Sequence, residues 1–591
     1  MTETESQKEF RLKRGNKILD YINKFSATEK VIFGILVFIA LISTITMTSK
    51  ATNYFMVEIP GSGGRLHEGL VGLPRTINPV LSVTDVDKDL SSLIYSGLMR
   101  YSDGVLDTDL AESYTISKDG LTYDFKLRND IYFNDGEPVT ADDIEFTIHK
   151  IQDPNLKSPR RSDWANITIK KIGDKDIQFI LKQPYSPFLS NTTVGILPKH
   201  IWNNVVDDQF VFSKYNIEPI GSGPYKISSI VYGNSGIPTE YSLNTWRKYY
   251  GDKPYIDNFV FSFFSDEENA VSAISNGKID SLAAISPGTA LKLDEQLKGS
   301  HEIISSSLPR VFGVFFNQNQ SLVLADLNVR KALDMSIDRK AIIKDVLNGY
   351  ADIIDGPLPN YFYDSHNDKK IVKDDDNFDQ LENIALAQHL LEKNGWKKNQ
   401  NNIYEKKSGK TASTTLAFDI YTADSPDLKQ TAELVKNYWT QLGASVNVKV
   451  FESGDLYQNI IRTRKYDALL FGEQIGKDRD MYAFWHSSQR NAPGLNVSMY
   501  TNSKVDTILE SIRSTNNDKI RNDGYNKLDQ LIKEDIPAVF LYSPNFIYII
   551  PKQLKGLKLD LIVIPSDRWN SIRNWYLNTE KVWSLLSQKY E

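Results

Sequence analysis

Residues 416–450 read LAFDIYTADSPDLKQTAELVKNYWTQLGASVNVKV. Leu416, Phe418 and Ile420 alternate with their neighbours, the period of two that sends successive side chains to opposite faces of a strand. Leu434, Val435, Tyr438 and Leu442 then recur at helical spacing, and Gly443 ends the stripe, as glycine does where a helix must finish in a left-handed turn. Val446, Val448 and Val450 alternate once more. Strand, helix and strand in succession predict a parallel crossover unit, and with it a mixed α/β body.

Working outward, Leu121–Arg128 alternates apolar and polar residues and predicts a half-buried strand. Asn134-Asp135-Gly136 supplies a turn. Thr140 followed three residues later by Asp143 is a shortened form of the capping box, and Ile144, Ile148 and Ile151 continue the helix it opens. Asp338 caps a second helix through Ile342, Ile343, Val346 and Leu347, which stops at Asn348-Gly349. With 591 residues the chain exceeds the ~250–300 residues that one core serves, so two or three folding units are expected.

Composition narrows the function. The chain is 41% hydrophobic and 24% charged, with a formal net charge of -6, as in ordinary globular proteins. The body carries no basic stripe of the kind a nucleic-acid partner requires. It has no cysteine, which excludes disulfides, thiolate metal sites, cysteine nucleophiles and a lipid-modified cysteine tether.

The N-terminal region carries a different signal. Val31–Ser49, VIFGILVFIALISTITMTS, is free of charge, and as a helix it would measure ~28 Å, close to the ~30 Å hydrocarbon core of a bilayer. Lys8, Arg11, Lys13, Arg14, Lys17, Lys24 and Lys30 precede it and Lys50 follows, so the positive-inside rule predicts a cytoplasmic N-terminus and an exported body. A signal peptide would have a shorter apolar core and a small-residue cleavage site, and a buried core helix would not carry such lopsided charge. A retained single-pass anchor is therefore expected, followed by Gly61-Ser62-Gly63-Gly64 as a flexible spacer.

The search for catalytic and metal chemistry returns little. Gly221-Ser222-Gly223-Pro224 is glycine-rich, but Pro-Tyr follows it in place of Lys-Ser/Thr, so it reads as a structural turn and not a phosphate loop. Asp85, Asp87 and Asp89 mimic the start of a calcium loop, yet Leu90 stands where that loop needs glycine, and a solvated helix face is expected. The seven histidines form no H-x-x-x-H pair, and no G-x-S-x-G elbow occurs. The Asp142-Asp143 pair and the tripeptides at Asn166, Asn191 and Asn496 are too common in sequences to signal chemistry.

A set of ordered segments carries more. Ile77-Asn78-Pro79 and Leu93-Ile94-Tyr95-Ser96-Gly97-Leu98 come first, followed by Leu110–Tyr114, Asp119–Arg128 and Phe133–Asp143. Leu197–Trp202, Pro219–Tyr225, Lys253–Asp257, Val329–Leu333 and Ile337–Ile343 follow in order. Each is weak alone, but the series resembles the landmarks of the dipeptide/oligopeptide class, the family-5 extracellular solute-binding proteins of ABC importers.

The resemblance implies an α/β, two-lobed periplasmic-binding-protein-like fold of type II with an extra inserted domain, here preceded by one transmembrane helix and closing on ligand by hinge bending. The expected layout is a basic cytoplasmic tail over 1–30, an anchor over 31–49 and a linker over 50–64. Lobe I would comprise 60–98, 218–309 and 538–575, with the inserted domain at 99–217 and lobe II at 310–537.

It also implies a non-enzymatic, cofactor-free protein that captures oligopeptides and delivers them to ABC permease subunits. A monomer, touching lipid through residues 31–49, is expected. Other solutes within the same fold (an oligosaccharide, a nickel chelate, haem) and an anchored extracellular hydrolase stand as alternatives. In the family a second-lobe aspartate, between "GW" and "DP", pairs with the peptide's amino terminus. Here Gly472 is kept, Glu473 replaces the tryptophan and Asp480-Met481 replaces Asp-Pro. Glu473, Asp478 and Asp480 are therefore all candidate amine anchors, and Phe484 and Trp485 candidate cleft aromatics. The same stretch also reads as a solvated loop of mixed charge, with Lys477 and Arg479 among the acids.

Overall fold

The computed structural model describes residues 24–359, 362, 379–408 and 412–583. It comprises two compact units, Met1–Ser62 with Asn578–Glu591, and Gly63–Leu577. In the first, a helix spans Ala27–Phe55, of which Ala27–Met47 is long and apolar enough to cross a membrane. The helix begins earlier than the uncharged run because Ser26 and Glu29 form a capping box. The Ser26 N–H donates to Glu29 Oε2 at 2.8 Å, and the Glu29 N–H donates to Ser26 Oγ at 3.3 Å. The predicted linker over 50–64 is not featureless. The helix runs through part of it, and strand Met56–Gly61 pairs antiparallel with Asn578–Trp583, Met56 opposite Trp583 and Gly61 opposite Asn578. Ladder hydrogen bonds to a distant strand override the flexibility that glycine and serine suggest locally.

The second unit is mixed α/β, organised on a twelve-stranded sheet. The crossover predicted from 416–450 forms as strand Ala417–Ala423, helix Pro426–Leu442 and strand Ser445–Phe451, with Phe418 parallel to Val446 and Ile420 to Val448. Gly443 ends the helix at φ 114°, a conformation that glycine adopts without steric cost. The sheet continues through Ala468–Gln474 and Arg310–Phe316 to a fourteen-residue strand, Ala538–Pro551.

That long strand joins two half-sheets. Its first half pairs with Arg310–Phe316 and Ala351–Ile353, and its second half with Ser281–Ala283 and His301–Ser307. Beyond lie Arg65–Val71, Asn258–Phe264, Pro238–Thr245 and Tyr225–Tyr232. Separate hydrophobic clusters cover the halves, one around Trp439, Phe418 and Val314 and another around Leu66, Phe259 and Trp575.

Residues 99–217 carry their own four-stranded antiparallel sheet, Ala111–Ile116, Thr122–Leu127, Asp176–Leu181 and Ile167–Lys171. Its core is continuous with the neighbouring half: Tyr123, Phe125 and Phe179 belong to the same cluster as Leu66 and Phe259. Thr140 caps its helix as the sequence predicts, its N–H donating to Asp143 Oδ2 at 2.8 Å. Asp338 accepts from the Ala341 N–H at 2.9 Å, and the helix ends at Asn348 with φ 50°. Asp338→Ala is expected to cost about 1 kcal/mol, seen as a small drop in urea midpoint at unchanged m-value.

One reading gains its physical reason and another changes. Gly221 and Gly223 do form a turn, and the reason is close packing: a Cβ on Gly221 would lie 2.2 Å from the Ile94 carbonyl oxygen, which accepts the Gly223 N–H at 2.7 Å. Asp87 and Asp89, expected on a solvated face, are each 2% exposed. Asp87 Oδ1 accepts the Arg75 and Thr76 N–H groups at 2.8 and 2.9 Å. Asp89 meets Arg568, more than 400 residues along the chain, a pairing that local spacing cannot reveal.

Candidate functional site

Strand Ala468–Gln474 delivers the expected ligand loop. It pairs with Arg310–Phe316, Val311 opposite Glu473 and Arg310 opposite Gln474. The chain then leaves the sheet, the Ile475 N–H donating to the Pro309 carbonyl at 2.9 Å. Residues 476–479 form a turn with Arg479 at φ 58°. The short helix Tyr482–Trp485 follows.

Pleat alternation decides what the loop's candidates face. Glu473 follows Leu469 and Phe471 on the side of its strand that packs with Val311, Phe315 and Trp485, and it is 3% exposed. Its Oε1 has no hydrogen-bond partner among the described residues, and burial pushes its pKa well above the usual carboxylate range. Gly472 lies on the opposite side, where a Cβ would meet the Phe312 ring at 2.6 Å. Trp485 is 1% exposed and packs against Phe315, Tyr500 and Phe540. It belongs to the interior, and not to a cleft wall as the sequence reading allowed; Phe484 is half-buried against the same cluster.

Asp478 and Asp480 are brought towards 99–217. Asp478 Oδ1 accepts the Asp480 N–H at 3.2 Å, while its carbonyl accepts from Arg521 Nη2 at 3.0 Å and the Tyr525 hydroxyl at 3.3 Å. No cation pairs with its carboxylate among the described residues. Burial, then repulsion by Asp480, pushes its pKa up to about 6. Asp480 is the paired one, its Oδ2 lying 3.1 Å from Arg513 Nε. The Arg513 guanidinium sits between the Tyr185 ring at 5.0 Å and the Tyr482 ring at 4.5 Å. Its carbonyl accepts the Ser186 N–H at 2.9 Å.

The remaining loop cations are half-buried against aromatic rings. Arg479 lies over Phe362 at 5.0 Å. Lys477 forms an ion pair with Asp567 and stands over the Tyr101 ring at 4.3 Å. Asp567 also accepts the Val563 and Ile564 N–H groups at 2.9 Å each. Tyr101, Lys477 and Asp567 bound a cavity of about 200 Å³ that also reaches Arg100, Asp109, Arg160 and Arg573. Asp478 lies outside this lining but, like Asp567, acts on the half-buried Tyr101 phenol, whose pKa burial raises to about 12.

The charged residues that line the cavity are mostly cations, Lys477 and Arg160 among them, with Asp109 and Asp567 as its acids. Sequence reading placed Asp478 and Asp480 correctly in one loop but missed Tyr101, Arg160, Tyr185, Arg513 and Asp567. They sit far apart in the chain and belong to no common motif.

Comparison with known proteins places this architecture. The family described as bacterial extracellular solute-binding proteins, family 5 middle, matches residues 106–493, and the chain belongs to that family. Its relatives include the oligopeptide-binding protein AppA of Bacillus subtilis (strain 168), 28% identical over 93% of this chain and 99% of that protein. The dipeptide-binding protein of Escherichia coli (strain K12) is 22% identical over 83% of this chain and 91% of its own length. Among solved structures, AppA from Bacillus subtilis in complex with a nonapeptide superposes with TM-score 0.64 at 26% identity, covering 88% of this chain and all of that one. NikZ from Campylobacter jejuni, in complex with Ni(L-His), superposes at 0.66 and 27%, covering 87% and 99%. The mixed α/β body has the periplasmic-binding-protein fold.

Proposed function

We propose that the chain is a membrane-anchored, extracytoplasmic substrate-binding protein that captures short peptides between two lobes and hands them to an ABC permease. The observation that carries the ligand class is the Asp478 carboxylate, half-buried and paired with no cation among the described residues. Burying an acid without a partner costs free energy, and a ligand's free amine in that place would recover it. The resemblance to peptide-binding relatives supports the same class. Lobe I would comprise 60–98, 218–309 and 538–575, the inserted domain 99–217 and lobe II 310–537. Contacts such as Lys477–Asp567 and Ser186–Arg513 would then clasp a closed form, with closure by hinge bending. The helix over 27–47 supports an anchor that holds a monomeric body at the lipid surface, and binding, not turnover, is the role.

Thermal unfolding of the full chain in detergent tests the ligand class against di- to nonapeptides, the nickel–histidine complex and oligosaccharides. Peptides are expected to raise Tm in proportion to the logarithm of their concentration. Stabilisation by the chelate or a sugar but by no peptide would overturn the assignment. For the anchor, carbonate-washed membranes should retain the chain; a shortened soluble product lacking 27–47 would mean a cleaved leader instead.

A further inference from the structure

Within the membrane-anchored reading, on which it rests, we infer that the ribbon of Met56–Gly61 and Asn578–Trp583 seats its first two rungs end-on in the lipid headgroup layer, giving the protein a second membrane contact through Trp583. The helix over Ala27–Phe55 passes directly into strand Met56–Gly61. Residues 31–50, the charge-free run with Lys50, account for ~30 Å of helix, the thickness of the hydrocarbon core. Residues 51–55 add ~7.5 Å, the depth of one headgroup layer in a bilayer ~40–45 Å thick overall. Met56 therefore emerges at the boundary of lipid and water. Pairing brings Trp583, from the far end of the described residues, opposite it.

The ribbon is graded along its length. Its first two rungs are apolar, Met56 opposite Trp583 and Val57 opposite Val582. The third is charged, Glu58 opposite Lys581 with 3.8 Å between Oε1 and Nζ, and Glu580, Thr579 and Asn578 complete the returning strand. The apolar end is thus the one joined to the helix. Trp583 is 45% exposed and Val57 44%, and strand alternation puts them on opposite faces of the ribbon. A partner protein docking on one face would cover only one of them, whereas lipid surrounding an inserted end covers both. No third strand joins the ribbon among the described residues, and two strands alone are marginal in water. Tryptophan suits the headgroup level, where its ring meets acyl chains and its N–H meets water. Glu58 and Glu580 outnumber Lys581 on the ribbon, so the seating is apolar and owes nothing to anionic lipid.

Because the chain has no cysteine, Ile39→Cys, Val57→Cys and Asn578→Cys each give one site for a fluorescent label. The full chain is reconstituted in phosphatidylcholine vesicles containing nitroxide lipids, with the nitroxide on the headgroup or deep in the acyl chain. The label at 39 should be quenched by the deep nitroxide, which reports the anchor. Headgroup nitroxide should quench the label at 57 at least about twofold more than the label at 578, since only the apolar end sits at the interface. Trp583→Ser should bring the value at 57 towards that at 578 and leave 39 unchanged, while Trp583→Phe should keep most of the difference. Equal quenching at 57 and 578, with 39 quenched, would overturn the inference but leave the anchor standing. So would a difference that appears only when anionic lipid is added. No quenching at 39 would overturn both.

Discussion

Arg568→Met is expected to destabilise the body by about 3–5 kcal/mol, read as the shift in guanidinium midpoint followed by tryptophan fluorescence. Arg568 is fully buried, and so is Glu68. Its Nη2 donates to Glu68 Oε1 at 2.7 Å, and its Nη1 donates to Asp89 Oδ1 at 2.6 Å and to the Pro565 carbonyl at 2.6 Å. The Tyr548 hydroxyl and Trp569 Nε1 complete the two carboxylates, at 2.5 and 3.0 Å. Losing the guanidinium would leave two buried acids with neutral donors alone, which is why breaking such a group costs more than forming it gains. Arg568→Met combined with Glu68→Gln and Asp89→Asn should therefore recover more than half of the loss. A triple variant no more stable than the single one would show that the arginine's packing, and not the stranded charge, matters.

The pH dependence of that defect has a definite sign. Burial pushes the Asp89 pKa up to about 6 even beside Arg568. Asp89 protonation therefore favours the folded state below the ordinary carboxylate pKa of ~3.9 and loses that contribution as pH rises through about 6. Without the arginine the acids ionise still less readily, so the penalty of Arg568→Met should be larger at pH 8 than at pH 5. Equal penalties at both would contradict the stranded-charge account.

The second large effect concerns the ligand. Asp478→Asn is expected to weaken free-amine peptides by about 30-fold or more, the equivalent of ~2 kcal/mol or above for one partner of a desolvated pair. N-acetylated peptides should be little affected. Since the free protein holds Asp478 near 6 and a bound ammonium favours the carboxylate, binding releases a proton. Wild-type affinity should therefore rise with pH up to about 6 and level off above it, and Asp478→Asn should flatten that rise. Titrations in buffers of different ionisation enthalpy would detect the released proton. A profile unchanged by the substitution would remove Asp478 from the site.

The sequence determined a good deal by itself. The crossover over 416–450, the caps at Thr140 and Asp338 and the stop at Gly443 were legible because each depends on residues within a few positions of one another. The apolar run after residue 30 and the ordered family landmarks were legible for the same reason, being contiguous in the chain. Tertiary structure alone decided the rest. It turned Asp87 and Asp89 from a supposed solvated face into buried acceptors, because their partners include Arg75, nearby across a turn, and Arg568, at the far end of the body. It made the residues after the long N-terminal helix a strand, because Asn578–Trp583 returns to pair with them. It separated the acids of one loop as well: Glu473 goes to the core by strand alternation, Asp480 goes to Arg513, and the Asp478 carboxylate pairs with no cation among the described residues. Periodicity fixes which residues share a face, but charge becomes interpretable only once folding has shown which partners come within a few ångströms and how much water remains between them.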